Sequence, residues 1–166
     1  MNDVDDIKSS VEYKATQDKG NCLFLKNEKS FGEVVYSERA LFLSEPSSET
    51  ISSLDKVLNS LEDDLKLQPS WYAAAIMSLK SGTAADRAAL DKKWYPHDKA
   101  HRIESKIIDS LNLEISPEEL HKYLQIWRYN SFAHHSGPDS LAMYNYTSYM
   151  SHSCNVSITY ITEPIF

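Results

Sequence analysis

The hydrophobic period changes at Pro46, and that change limits what the chain can become. Before Pro46, apolar residues come in short runs broken by turn residues. After it, they recur at steps of three and four. The first pattern belongs to strands and the second to amphipathic helices. Ser47–Thr50 precedes a stripe of Ile51, Leu54, Val57, Leu58, Leu61 and Leu65. Pro69 opens a second helix carrying Trp71, Tyr72, Ile76, Met77 and Leu79, with Gly82 as its stop. Thr83 caps a third, with Asp86 at the capping-box position, and this helix is expected to run to about Tyr95. Asp98 caps a fourth, whose stripe is Ile103, Ile107, Ile108 and Leu111. Ser116-Pro117-Glu118-Glu119 is the strongest helix start: a cap, a proline in the first turn, and Glu three residues after the cap. The fifth helix carries Leu120, Tyr123, Leu124 and Trp127.

Both flanks read as β-rich. Residues 1–10 are polar and are expected to be a flexible start. Val11 to Ala15 alternates like a strand, and Thr16–Asn21 reads as a turn around Gly20. Cys22–Leu25, Val34–Glu38 and Ala40–Leu43 read as further short strands, with a turn at Ser30–Glu33. Together they predict a small, locally connected antiparallel sheet. Beyond the helices, Tyr144–Asn155 packs aromatics, hydroxyls, an imidazole and a thiol into one run, and the strand-like Val156–Thr162 follows. Such a cluster suits a small-molecule pocket and equally suits a half-buried strand. The expected organisation is α+β: a flexible segment 1–10, a β part 11–46, a helical insert 47–129 and a second β part 130–166.

A chain of 166 residues holds one domain with a real core. A net charge of -7 argues against a partner held by its phosphates and is compatible with a Lys/Arg-rich peptide. Cys22 and Cys154 lie far apart, so a zinc site with closely spaced ligands is not expected, and no metal ligand is assigned. His97, His101 and His121 read as solvated helix side chains rather than ligands. No apolar run has the ~18–20 residues of a membrane helix, so no membrane association is expected. Few cysteines and a polar start suggest the cytoplasm or nucleus. His134, Ser136 and Asp139 could be drawn as a hydrolase, but there is no Gly-x-Ser-x-Gly elbow. A Cys154–His152 nucleophilic pair is conceivable on one strand face.

Ser151-His152-Ser153-Cys154-Asn155 resembles the Asn-His-Ser-Cys signature of SET-domain protein-lysine methyltransferases. Lys19-Gly20-Asn21-Cys22-Leu23-Phe24 is similar to the Gly-x-Gly-Leu-Phe opening of that family, and Phe31–Val35 to its Gly-Glu-Val-Ile step. The Asn at Asn21, the preceding cation and Asn130-Ser131-Phe132 resemble the branch that carries a MYND zinc finger, whose ligands are absent between Pro46 and Pro69. The resemblance implies a SET-like fold of short strands and small sheets around a helical insert. It implies transferase activity with S-adenosyl-L-methionine as cofactor and a lysine of a protein, a histone tail among them, as substrate.

By that resemblance, Lys19, Gly20, Asn21, Cys22, Ser148, Ser151 and His152 bind the cofactor. Phe132, with Tyr146 and Tyr149, lines the lysine channel, where an aromatic wall favours the spread positive charge of methyl transfer. No catalytic residue is assigned. Cys22 stands where the family has a second glycine, Ser151 where it has Asn, and Val156-Ser157 where it has Pro-Asn. The family's catalytic tyrosine segment would follow Phe166, so an incomplete or weakly active enzyme is expected, with a catalytically silent interaction module as the alternative.

Overall fold

The computed structural model describes residues 3–17, 20–61, 66–97 and 102–150. Lys19, His101, Ser151, His152, Cys154 and the strand expected at Val156–Thr162 lie outside them. The architecture is α+β, and the chain divides into two compact units, Met1–Ala40 with Tyr144–Phe166 and Leu41–Met143.

The larger unit holds five helices and a three-stranded sheet among its described residues. Helix α2 (Ser48–Asn59) starts where the stripe does, because the Ser47 hydroxyl accepts from Thr50 N at 3.1 Å. It ends at Asn59, short of the expected Leu65, but Leu61 is still buried. Helix α3 (Pro69–Ser81) opens on its proline and lies against α6 (Pro117–Asn130). Ala73, Ala74 and Ala75 are fully buried, and side chains that small let the two backbones approach. Trp127 Nε1 donates to the Ser78 hydroxyl at 2.8 Å, and that hydroxyl donates on to the Ala74 carbonyl. The indole is thus buried with its one polar group satisfied. Gly82 follows α3 with extended backbone and has no room for a side chain: a Cβ there would come within 2.4 Å of the Ser78 carbonyl oxygen.

Helix α4 (Ala84–Leu90) carries the expected capping box. Asp86 N donates to the Thr83 hydroxyl at 3.1 Å, and Thr83 N to the Asp86 carboxylate at 2.9 Å. The helix stops at Leu90 rather than near Tyr95. The physical reason is tertiary: Asn130 Nδ2 donates to the Trp94 carbonyl at 2.8 Å, which holds the chain in a non-helical path. Helix α5 (Arg102–Leu111) ends in a Schellman motif. Asn112 takes a positive φ of 48°, and Leu113 N donates to the Ile108 carbonyl at 3.0 Å. Helix α6 starts at the Ser116/Glu119 capping box. The core of this unit is Leu54, Leu58, Tyr72, Leu90, Ile103, Ile107, Leu120, Leu124, Ile126 and Trp127.

The sheet joins β3 (Phe42–Ser44), β5 (Leu141–Met143) and β4 (Ser131–Ala133) in that order, all antiparallel. Phe42 pairs with Met143 and Phe132 with Ala142. This corrects the locally connected sheet: β3 belongs with strands that follow the helices, not with those that precede it. The helical insert therefore does not stand apart from all β structure, because its ends are tied to β3, β4 and β5 within one unit.

In the other unit, residues 3–10 of the segment expected to be a flexible start are helical. They form helix α1 (Asp3–Ser10), and its Ile7 is buried at 2 % exposure, which gives the segment an apolar anchor. The hairpin β1 (Val11–Thr16) and β2 (Gly20–Leu25) matches expectation, in a register that runs from Val11 opposite Leu25 to Thr16 opposite Gly20. The turn at Ser30–Glu33 is present, with Glu33 N donating to the Ser30 carbonyl at 3.1 Å. Val34–Glu38 is not a strand. The polar ends of Tyr36 and Glu38 are engaged by residues 144–150 instead.

Candidate functional site

Glycine at position 20 takes a φ of +66°, a conformation that a hairpin turn needs and that side chains resist. A Cβ there would meet nothing within 4 Å, so the turn is open on that side. The Thr16 hydroxyl donates to the Gly20 carbonyl at 2.9 Å and closes the turn from within. Asn21 is exposed and Cys22 is buried. The Cys22 thiol lies 3.8 Å from the Thr16 hydroxyl. The Cys22 side chain is thus small and turned inward.

The polar run 144–150 folds as a short 3-10 turn, Thr147–Tyr149, rather than as a half-buried strand. Tyr149 N and Met150 N donate to the carbonyls of Tyr146 and Thr147 at 2.9 and 3.0 Å. The Ser148 hydroxyl donates back to the Tyr144 carbonyl at 2.6 Å. This turn packs against β2, and Tyr149 sets its ring edge-on to Tyr13 at 4.8 Å between centroids. The Tyr13 phenol is pushed above its ordinary range, first by desolvation and then by the neighbouring Tyr149 hydroxyl.

Glu38 holds the turn from the other side. Its Oε1 accepts from Asn145 N and Tyr146 N, both at 2.7 Å. Its Oε2 accepts from Thr147 N at 2.9 Å and from the Thr147 hydroxyl at 2.8 Å. Tyr36 adds its own hydroxyl, 3.0 Å from that of Thr147 and 3.7 Å from Met150 Sδ. Burial is the main cause that raises the Tyr36 phenol, and the Glu38 charge adds to it.

The structure therefore brings Gly20, Asn21 and Cys22 together with Tyr146, Ser148 and Tyr149 in one unit. Lys19, Ser151 and His152 lie outside the described residues. Phe132 belongs to the helical unit, on β4 opposite Ala142, and is half-buried there.

Sequence reasoning missed Glu38 and Tyr36. Their partners lie more than a hundred positions away, and no local period marks them. It also misread His121, which is buried and not solvated: its Nδ1 lies 2.8 Å from Glu104 Oε1, and Gln125 Nε2 lies 3.4 Å from its Nε2. The signal was available, since His121 stands one turn before Leu124 on the apolar side of α6. His97 is exposed, as expected, with its ring 4.7 Å from that of Tyr95. No group of three metal-ligating side chains occurs among the described residues. His134 and Ser136 meet at 2.8 Å, but as a local turn in which Ser136 N also donates to the same ring nitrogen. No known protein family and no curated protein matches this chain by sequence.

Proposed function

We propose that this chain is a SET-like, S-adenosylmethionine-dependent protein-lysine methyltransferase. The observation that carries the reading is the packing of β2 on the Thr147–Tyr149 turn. Gly20–Cys22, from the opening that resembles the family's, and Ser148, three residues before the signature-like run, come from opposite ends of the chain and share one unit. Their chemistry fits the cofactor. The open glycine turn leaves backbone accessible to an amino-acid head group, and the exposed Asn21 amide can both donate and accept. Lys19 would add a cation beside the carboxylate, with Ser151 and His152 completing the set. The bound donor supplies an electrophilic methyl group. Tyr146 and Tyr149 would wall the lysine channel, exclude water and favour a cationic transition state. The substrate class is a basic, lysine-bearing segment such as a histone tail, which complements a net charge of -7. The protein would act in the cytoplasm or nucleus.

A thermal melt with and without the donor tests this. Binding to the folded state alone raises the midpoint, by about 2.7 kcal/mol of added stability at a hundredfold excess over the dissociation constant. Asn21→Ala should shrink the shift without changing the unliganded midpoint. An unchanged midpoint at saturating donor, in a sample that melts cooperatively, would refute the reading.

A catalytically silent interaction module is the second reading. It is favoured by Trp94 and Tyr129, which are 65 % and 48 % exposed and pack edge-on at 5.6 Å in the helical unit. Exposed aromatic pairs are common anchors of protein interfaces. Under this reading Trp94→Ala abolishes capture of a partner, and the donor leaves the melt unmoved.

A further inference from the structure

We propose that Glu38 is the positioning residue of the candidate site. Its carboxylate is the template on which the backbone of residues 145–147 is folded. Three consecutive N–H groups and one hydroxyl converge on its two oxygens, all between 2.7 and 2.9 Å. Backbone donors to a charged acceptor make strong, directional bonds. Three successive amides aimed at one point fix the dihedrals between them. Those dihedrals decide where Tyr146, Ser148 and Tyr149 lie relative to β2. The Tyr36 hydroxyl braces the same threonine from a neighbouring position.

The inference rests on the methyl-donor reading for what is positioned, but not for the clamp itself. Amide hydrogen exchange on the intact chain tests the clamp, and donor affinity tests its consequence. Glu38→Ala should speed exchange at Asn145, Tyr146 and Thr147 and leave α3 and α6 unchanged. Glu38→Gln should discriminate between the amides. Its carbonyl can still accept from Asn145 and Tyr146, but its NH2 group faces the Thr147 donor, so Thr147 alone should exchange faster. General loosening would not give that single-residue signature. Donor affinity should fall about tenfold in Glu38→Ala, the equivalent of one charge-assisted hydrogen bond. Glu38→Gln should fall in between.

Unchanged exchange at residues 145–147 in Glu38→Ala would overturn the proposal. Faster exchange with undiminished donor affinity would overturn the positioning role, leaving a structural bond. If Glu38→Ala does not fold, Glu38→Gln and Thr147→Val carry the same test. If the wild-type chain binds no donor, the methyltransferase reading falls, and the exchange pattern alone decides on Glu38.

Discussion

His121 Nδ1 lies 2.8 Å from Glu104 Oε1 in the interior of the helical unit, with both side chains at most 5 % exposed. The pair links α5 to α6 across the core. A buried pair of this kind is costly to desolvate, and its two members depend on each other. His121→Ala or Glu104→Ala alone should therefore destabilise by about 1–3 kcal/mol, the cost of leaving a buried polar group unsatisfied. Replacing both with leucine should cost far less than the sum. Urea denaturation of the two singles and the double gives the coupling. Additive losses would show that each residue acts alone.

Gly82 should resist even alanine. Its φ is an ordinary -64°, so the obstacle is space and not backbone strain. The added methyl would meet the Ser78 carbonyl, and Ser78 also receives the Trp127 indole. Gly82→Ala should cost about 1–3 kcal/mol, the range for overpacking a filled interior. A Gly82→Ala midpoint equal to that of the wild type would mean the end of α3 moves freely.

The α4 cap should confer a pH dependence of known sign. The Thr83 hydroxyl and backbone N–H hold the Asp86 carboxyl below its ordinary range. A carboxyl lowered in the folded state stabilises the fold above the unfolded value, and that contribution disappears as pH falls through the folded value. The wild-type melting point should therefore fall more steeply than that of Asp86→Asn on acidification below the ordinary carboxylate range. At neutral pH the wild type should be the more stable of the two. Parallel curves would exclude the cap as the source.

What could be read from the chain alone was local. Ser116 with Glu119 and Thr83 with Asp86 announce their helices because each cap is satisfied within four residues. The hairpin at Gly20 was legible for the same reason: it closes within the turn, through Thr16. The misreadings are all tertiary. Asn130 reaches Trp94 over 36 positions and ends α4 early. The pairing of β3 with β5 spans the whole helical segment. Glu38 meets its three amides 107–109 positions later, so an acidic residue in a strand-like run gave no hint of these contacts. The start of the chain looked too polar to fold, and one buried isoleucine, Ile7, was enough to anchor a helix.

The most direct test of the account is an amide chemical-shift titration of the chain with S-adenosylmethionine. If the hairpin and the 3-10 turn form one cofactor site, the amides of Gly20–Cys22 and of Thr147–Tyr149 move together, on one binding curve. Those of α3 and α6 stay in place. Saturating donor that moves neither segment, or moves only residues of the helical unit, would contradict the account.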